Sequence, residues 1–230
     1  MIRARCHPAL ERLLPKPTPA KAVLPDWFKA MPSEVQAETL GGEEVRTLKH
    51  CPPLIDALSA GVMIPLAADL TVANGEISWD WDPPILTDAR ITRAPVGLHV
   101  PEQAAGAPLR LDIGAVVKFM NFWTLEAEPG FSLLFTHPLN REDLPFRTLA
   151  GLVDSDLFKD GYVHFPALWT EPEFDGVLPA GTPVAQVFAV PRAGQGLDLG
   201  VMDGDAVARN AEVQRRLAEE RGVYRKDFRH

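Results

Sequence analysis

Gly151-Leu-Val-Asp-Ser-Asp-Leu157 sets two carboxylates, Asp154 and Asp156, two residues apart at what reads as the end of a strand. Upstream, Phe131-Ser-Leu-Leu-Phe135 is too uniformly apolar to leave one face in water and predicts a central strand. Downstream, Gly181-Thr-Pro-Val-Ala-Gln-Val-Phe-Ala-Val-Pro-Arg192 predicts a second long strand. From Gly114 to Pro191, strand and turn signals recur about every eight to twelve residues, the spacing of an all-β sandwich or barrel. Glu128-Pro-Gly130 marks a turn, and residues 140–145 a surface loop.

Further toward the N-terminus, Asn74-Gly75 is the strongest hairpin signal in the chain. It predicts a strand over 69–73 turning into one over 76–81. In the second, Ile77, Trp79 and Trp81 alternate with Glu76, Ser78, Asp80 and Asp82. Trp79 and Trp81 on one face would be either a stacking platform for a base or sugar, or ordinary sheet packing. Pro52 and Pro53 at one end and Gly61 at the other bracket a short helix. Residues 47–51 read as a short strand and 61–66 as another. Residues 83–112 read as an irregular excursion, with Pro101 arguing against a helix.

Leu14-Pro-Lys-Pro-Thr-Pro19 is an extended arm, since each proline removes a donor and restricts its predecessor. Beyond it, Pro25 suits a short helix carrying Trp27, Phe28 and Met31, an aromatic group that packs on its own domain or anchors a partner. Past Arg192 a glycine-bearing linker leads to a helix over 206–221, with Asp205 as its cap and Gly222 as its stop. The expected division is an arm over 1–44, a β domain over 45–192, and a linker with a helix over 193–230.

The 230 residues carry a net charge of −8, with 46 % hydrophobic and 23 % charged residues, as globular chains do. A negative field of that size and no concentrated basic patch argue against nucleic acid as a partner. No apolar run reaches transmembrane length, and no apolar stretch follows the first basic residues, so neither a membrane partner nor a leader is expected. Two cysteines, Cys6 and Cys51, fit a reducing compartment, and the expected location is cytoplasmic.

Asp154 and Asp156 could hold a hard cation or orient a water, or each could cap backbone N–H groups in a turn. His50, His99, His137 and His164 invite a metal reading, but no pair has ligand spacing, and no metal is assigned. No cofactor is identified, and no nucleophile motif surrounds Ser132 or Ser155.

Glu128-Pro-Gly-Phe-Ser-Leu-Leu-Phe135, Gly151-Leu-Val-Asp-Ser-Asp156 and Gly181-Thr-Pro-Val-Ala-Gln-Val187 resemble, in order and rough spacing, the core of the deoxyuridine triphosphatase and deoxycytidine triphosphate deaminase superfamily. That resemblance implies a mainly β fold of β-clip type, a homo-oligomer, and a cleft near Asp154 lined by Gln186. Asp154 falls where the superfamily keeps its water-orienting aspartate. Leu157 stands in place of the stacking tyrosine, and Thr136-His-Pro-Leu-Asn140 lacks the phosphate-contacting arginine. Nucleotide hydrolysis is therefore not expected. Leu24-Pro-Asp-Trp-Phe-Lys29, Cys51-Pro-Pro-Leu-Ile-Asp-Ala-Leu-Ser-Ala-Gly61, Lys118-Phe-Met-Asn-Phe-Trp123 and His164-Phe-Pro166 also resemble motifs of a bacterial and tailed-phage family labelled a domain of unknown function. The expectation is a small-ligand-binding β protein using Asp154, Asp156, Gln186, Asn121 and Asn140. The alternatives are an enzyme with Asp154 as base or metal ligand, and a phage-derived assembly protein.

Overall fold

Asn74 and Gly75 both take positive φ, 51° and 77°, and Ala73 pairs with Glu76 across them. This is the two-residue turn whose twist matches antiparallel strands. It belongs to a computed structural model that describes residues 1–109 and 116–229. The expected start of the β-rich half at Gly114 lies outside the described residues.

The strands, in chain order, are β1 (Arg3–Cys6), β2 (Thr18–Pro19), β3 (Glu34–Ala37), β4 (Glu43–Arg46), β5 (Val62–Pro65), β6 (Leu70–Ala73), β7 (Glu76–Ser78) and β8 (Val96–His99). They continue with β9 (Val116–Phe119), β10 (Trp123–Glu126), β11 (Phe131–Thr136), β12 (Phe146–Thr148), β13 (Gly151–Val153), β14 (Phe165–Trp169), β15 (Gly176–Leu178) and β16 (Pro183–Pro191). The helices are α1 (Asp26–Ala30), α2 (Pro52–Ser59), α3 (Gly204–Glu219) and α4 (Val223–Asp227). The fold is mainly β, as the sequence predicts, with antiparallel sheets and a C-terminal helix.

A five-stranded sheet runs β13-β11-β16-β5-β2, a four-stranded one β12-β14-β9-β8, and a three-stranded one β15-β6-β7. The apolar run of β11 lies between β13 and β16, the central position its composition requires. Leu133, Phe135 and Val187 from the first sheet meet Val117, Phe119, Phe146 and Phe165 from the second in one core. Phe119 and Phe146 stack edge-to-face at 4.6 Å, and Phe135 lies 5.5 Å from Phe165.

The N-terminal residues supply strands to this body. β1 pairs with β10, and β2, inside the proline run, pairs with β5 at a sheet edge, where a missing donor is tolerated. Phe28 is buried and meets Trp27 edge-to-face at 5.8 Å.

Four local expectations are corrected. Residues 48–50 form a 3₁₀ turn, because the Thr47 hydroxyl accepts from the Lys49 N–H and caps it. β7 stops at Ser78, so Trp79 and Trp81 leave the strand and part company: Trp81 packs on Phe122 at 5.1 Å. The irregular stretch contains β8, held by β9 from Val96↔Phe119 to His99↔Val116, and Pro101, far from excluding a helix, opens a 3₁₀ turn over Pro101–Ala104, where its missing donor costs nothing. The helix cap is Asp203, which accepts from the Ala206 N–H at 2.8 Å, and Gly222 leads into α4.

The chain divides into two compact units, Met1–Ala193 and Gly194–His230. Within the second, Arg216 on α3 pairs with Asp227 on α4 at 2.5 Å.

Candidate functional site

The register of the five-stranded sheet sets what stands around the two aspartates. Leu133 pairs with Val153, and Phe131 with Pro191. The start of β11, the end of β13 and the end of β16 therefore meet. Asp154 and Asp156 follow β13 and Arg192 follows β16, so the three charges converge there.

Asp156 is the inner member, its side chain 8 % exposed. Its carboxylate takes two hydrogen bonds from the Arg192 guanidinium, at 2.8 and 2.5 Å, and one from the Gly130 N–H at 2.9 Å. The hydrogen bonds from Arg192 and then from Gly130 hold its carboxyl well below the usual carboxylate range. Arg192 also donates to the Phe131 carbonyl at 3.2 Å. One ion pair thus ties the Pro-Gly turn before β11 to the end of β16.

Asp154 is the outer member, 55 % exposed. Its Oδ1 accepts from the Ser132 hydroxyl at 2.6 Å and lies 3.4 Å from Arg192. Its main-chain carbonyl accepts from the Leu157 and Phe158 N–H groups, closing the turn. A guanidinium stands where a bound cation's charge would have to stand.

Gln186 lies on β16, the strand that Arg192 follows, but in the interior. Its Nε2 donates to the Ala57 and Ala60 carbonyls, at 2.9 and 2.7 Å, and its Oε1 accepts from the Leu139 N–H at 2.8 Å. It caps the carbonyl end of α2 and pins the turn after β11. Asn121 is spent in the same way, donating to the Trp123 carbonyl at 2.7 Å and accepting from the Trp123 N–H at 2.9 Å. Asn140 is exposed in the left-handed region, φ 58°, within the turn that Gln186 holds.

These five residues do not form one site. Ser132, which holds Asp154, and Thr136, which pairs with Gln186, are four positions apart on β11, roughly 13 Å along the strand. Sequence reasoning did not pick out Arg192. Its only signal was a basic residue directly after a long strand, and pairing it with Asp156 required the register.

His137 and His164 serve the main chain, and His99 Nδ1 lies 3.3 Å from the Gln103 side-chain oxygen. His137 Nδ1 accepts from the Thr148 N–H at 3.3 Å and Nε2 reaches the Arg141 carbonyl at 2.9 Å, an arrangement met by the neutral ring with its proton on Nε2. His164 Nδ1 accepts from the Asn121 N–H at 3.1 Å. Burial lowers the pKa of both rings. Among the described residues, no three His, Cys, Asp or Glu side chains are placed to hold a metal ion. No helix among them is long and apolar enough to cross a membrane.

An apolar hollow lies elsewhere in the first unit. A groove of about 410 Å³ opens between β7 and β8, lined by Glu76, Ile77, Trp79, Val96, Gly97 and Leu98. Smaller hollows of about 260 Å³ and 150 Å³ lie against β2 with β5 and against β1 with β10. None of the three is lined by Asp154, Asp156, Gln186, Asn121 or Asn140.

Neither a protein-family model nor a curated protein matches the sequence. Among solved structures the chain is similar to a mutant dUTPase from phage phi11 of S. aureus. That similarity has 10 % identity and a TM-score of 0.38, over 89 % of this chain and 99 % of that one. An overlap of that size carries no argument about the site or its chemistry, and the likeness to the tailed-phage family rests on the quoted motifs alone.

Proposed function

We propose that the chain is a binding protein rather than a hydrolase, and that its binding surface is the groove between β7 and β8. The observation that carries this reading is the groove itself. At about 410 Å³, with Trp79 39 % exposed on its wall, it has the size and apolar lining of ligand pockets. The aspartate turn has the opposite character. Asp156 is consumed by Arg192 and Gly130, and Asp154 faces the same guanidinium. Gln186 and Asn121 have each polar atom engaged by the main chain, so neither offers a free group to a base or sugar. Asp154 as a general base, or as a metal ligand beside Asp156, is the weaker reading for these reasons.

The test is a titration of the intact protein at high dilution with the dye anilinonaphthalene sulfonate. Dye fluorescence that saturates, and that falls at least fivefold in Trp79→Ala at unchanged melting temperature, is the expected result. Equal uptake by wild type and Trp79→Ala would remove the groove from consideration. A parallel incubation with deoxynucleoside triphosphates and Mg²⁺ should release no phosphate or pyrophosphate above the level of Asp154→Asn.

A further inference from the structure

The groove has a second property, which defines the class of its occupant. Among the described residues β7 ends the three-stranded sheet and β8 ends the four-stranded one, and both line the groove. Among the described residues the outer edge of each has no strand partner, and such an edge is the template that recruits an added strand. Val96 and Leu98 lie on the core-facing side of β8, opposite Phe119 and Val117. Val96 is buried, yet Leu98 is 64 % exposed. Among the described residues no strand covers this large apolar side chain on the inner face of an edge strand.

The chain also carries a segment suited to that place. Leu197-Asp-Leu-Gly-Val-Met202 belongs to no helix or strand. Leu197, Leu199 and Val201 alternate in sequence and are 82, 83 and 99 % exposed. Period two is the pattern of a strand with one apolar face, and here all three of its residues are exposed. Fully exposed leucine and valine at three alternate positions are what a strand lacking its partner presents.

Charge supplies the orientation. Gly97 pairs with Lys118 of β9. A Cβ placed on Gly97 would lie 3.2 Å from the Lys118 Cε, so the lysine side chain lies across the glycine toward the free edge of β8. Among the described residues no carboxylate is ion-paired with it. A strand added beside β8 with Leu197 and Leu199 turned inward would turn Asp198 outward, onto the face where the Lys118 ammonium lies.

We propose that residues 197–202 of one copy dock as an added strand in the β7–β8 groove of a second copy, with Leu197 and Leu199 in the groove and Asp198 against Lys118. This rests on the groove being the binding surface. Reciprocal docking would close a two-fold dimer.

The experiment uses the full chain and reads mass in solution by sedimentation alongside dye uptake. Wild type should self-associate and lose dye uptake as protein concentration rises. Leu199→Asp should remain monomeric and take up dye at every concentration. Lys118→Glu and Asp198→Lys should each weaken association roughly tenfold, and the double variant should restore it. A wild type that stays monomeric at the highest concentration overturns the proposal, as does a double variant no better than either single one. Leu199→Asp that binds no dye overturns the groove reading itself. Leu199→Asp that binds dye, beside a wild type that is monomeric and binds it equally, overturns only the strand exchange.

Discussion

Strand β16 serves two contacts of opposite kind. In its middle, Gln186 is fully buried, neutral, and bonded through its amide to three main-chain groups. Just past its end, Arg192 is partly exposed and holds Asp156 and Asp154 by charge. Both tie β16 to the neighbourhood of β11, yet the energies behave differently. The amide is irreplaceable because removing it strands buried donors and acceptors that water cannot reach. The ion pair is open to solvent on its Arg192 side, and protonation of the carboxylate can release it.

The comparison is sharpest at Gln186. Gln186→Leu keeps the volume but leaves the Ala57 and Ala60 carbonyls and the Leu139 N–H without partners. The expected loss is about 4 kcal/mol, a fall of about 10 °C in melting temperature by calorimetry. A loss under about 1 kcal/mol would mean that the interior contact is as dispensable as a surface one. Next comes Gly61, which turns the chain from α2 into β5 at φ +72°. A Cβ there would lie 2.3 Å from the Val187 carbonyl oxygen on β16. Gly61→Ala should cost about 3 kcal/mol, from both the conformation and the overlap, measured by urea unfolding. Gly41, with φ +69° and nothing near, is the control that carries conformation alone.

How much of this was legible depended on whether the rule was local. The Asn74-Gly75 turn, the proline and glycine brackets of α2, and the apolar run of β11 each follow from a few adjacent residues, and each is present as read. β8 was missed because Val96-Gly-Leu-His99, with prolines before and after it, lacks a clean alternation, and an edge strand needs its neighbour to declare itself. The reading that put Trp79 and Trp81 on one face failed because the pairing of β7 ends at Thr71↔Ser78. At the candidate site the residue types were visible but their company was not. Asp156 and Arg192 are 36 positions apart, and only the register of β11 between β13 and β16 brings them together. Gln186 was legible as a strand residue, but not as the cap of a helix more than 120 residues earlier.

Asp156 gives the pH side of the comparison. Its carboxyl titrates below its unfolded value because Arg192 and then Gly130 bond the charged form. A group so depressed contributes stability that is fully present above the ordinary carboxylate pKa of about 3.9 and is lost as pH falls through the folded value. Asp156→Asn should therefore lower the melting temperature at pH 7, by less than Gln186→Leu does. The gap should narrow steadily below about pH 4. The deficit of Gln186→Leu relative to wild type should not change over the same range. A gap for Asp156→Asn that is constant down to the acid transition would show that geometry, not charge, is what the aspartate supplies.

The smallest expected effect has the opposite sign. Ser155, between the two aspartates, is fully buried, and its Oγ has no hydrogen-bond partner among the described residues. Its main chain is engaged, donating to the Val153 carbonyl at 2.8 Å, so the residue's place in the turn does not depend on the hydroxyl. Removing a buried polar group that makes no bond relieves a desolvation cost and leaves a cavity of one atom. Ser155→Ala should raise stability by roughly 0.5–1 kcal/mol, measurable by denaturant unfolding with an unchanged slope. Arg192 and Gln186 both act by satisfying their neighbours, so substitution there can only lose. The Ser155 hydroxyl satisfies no group among the described residues, and a destabilised Ser155→Ala would mean that it has a bonding partner in solution after all.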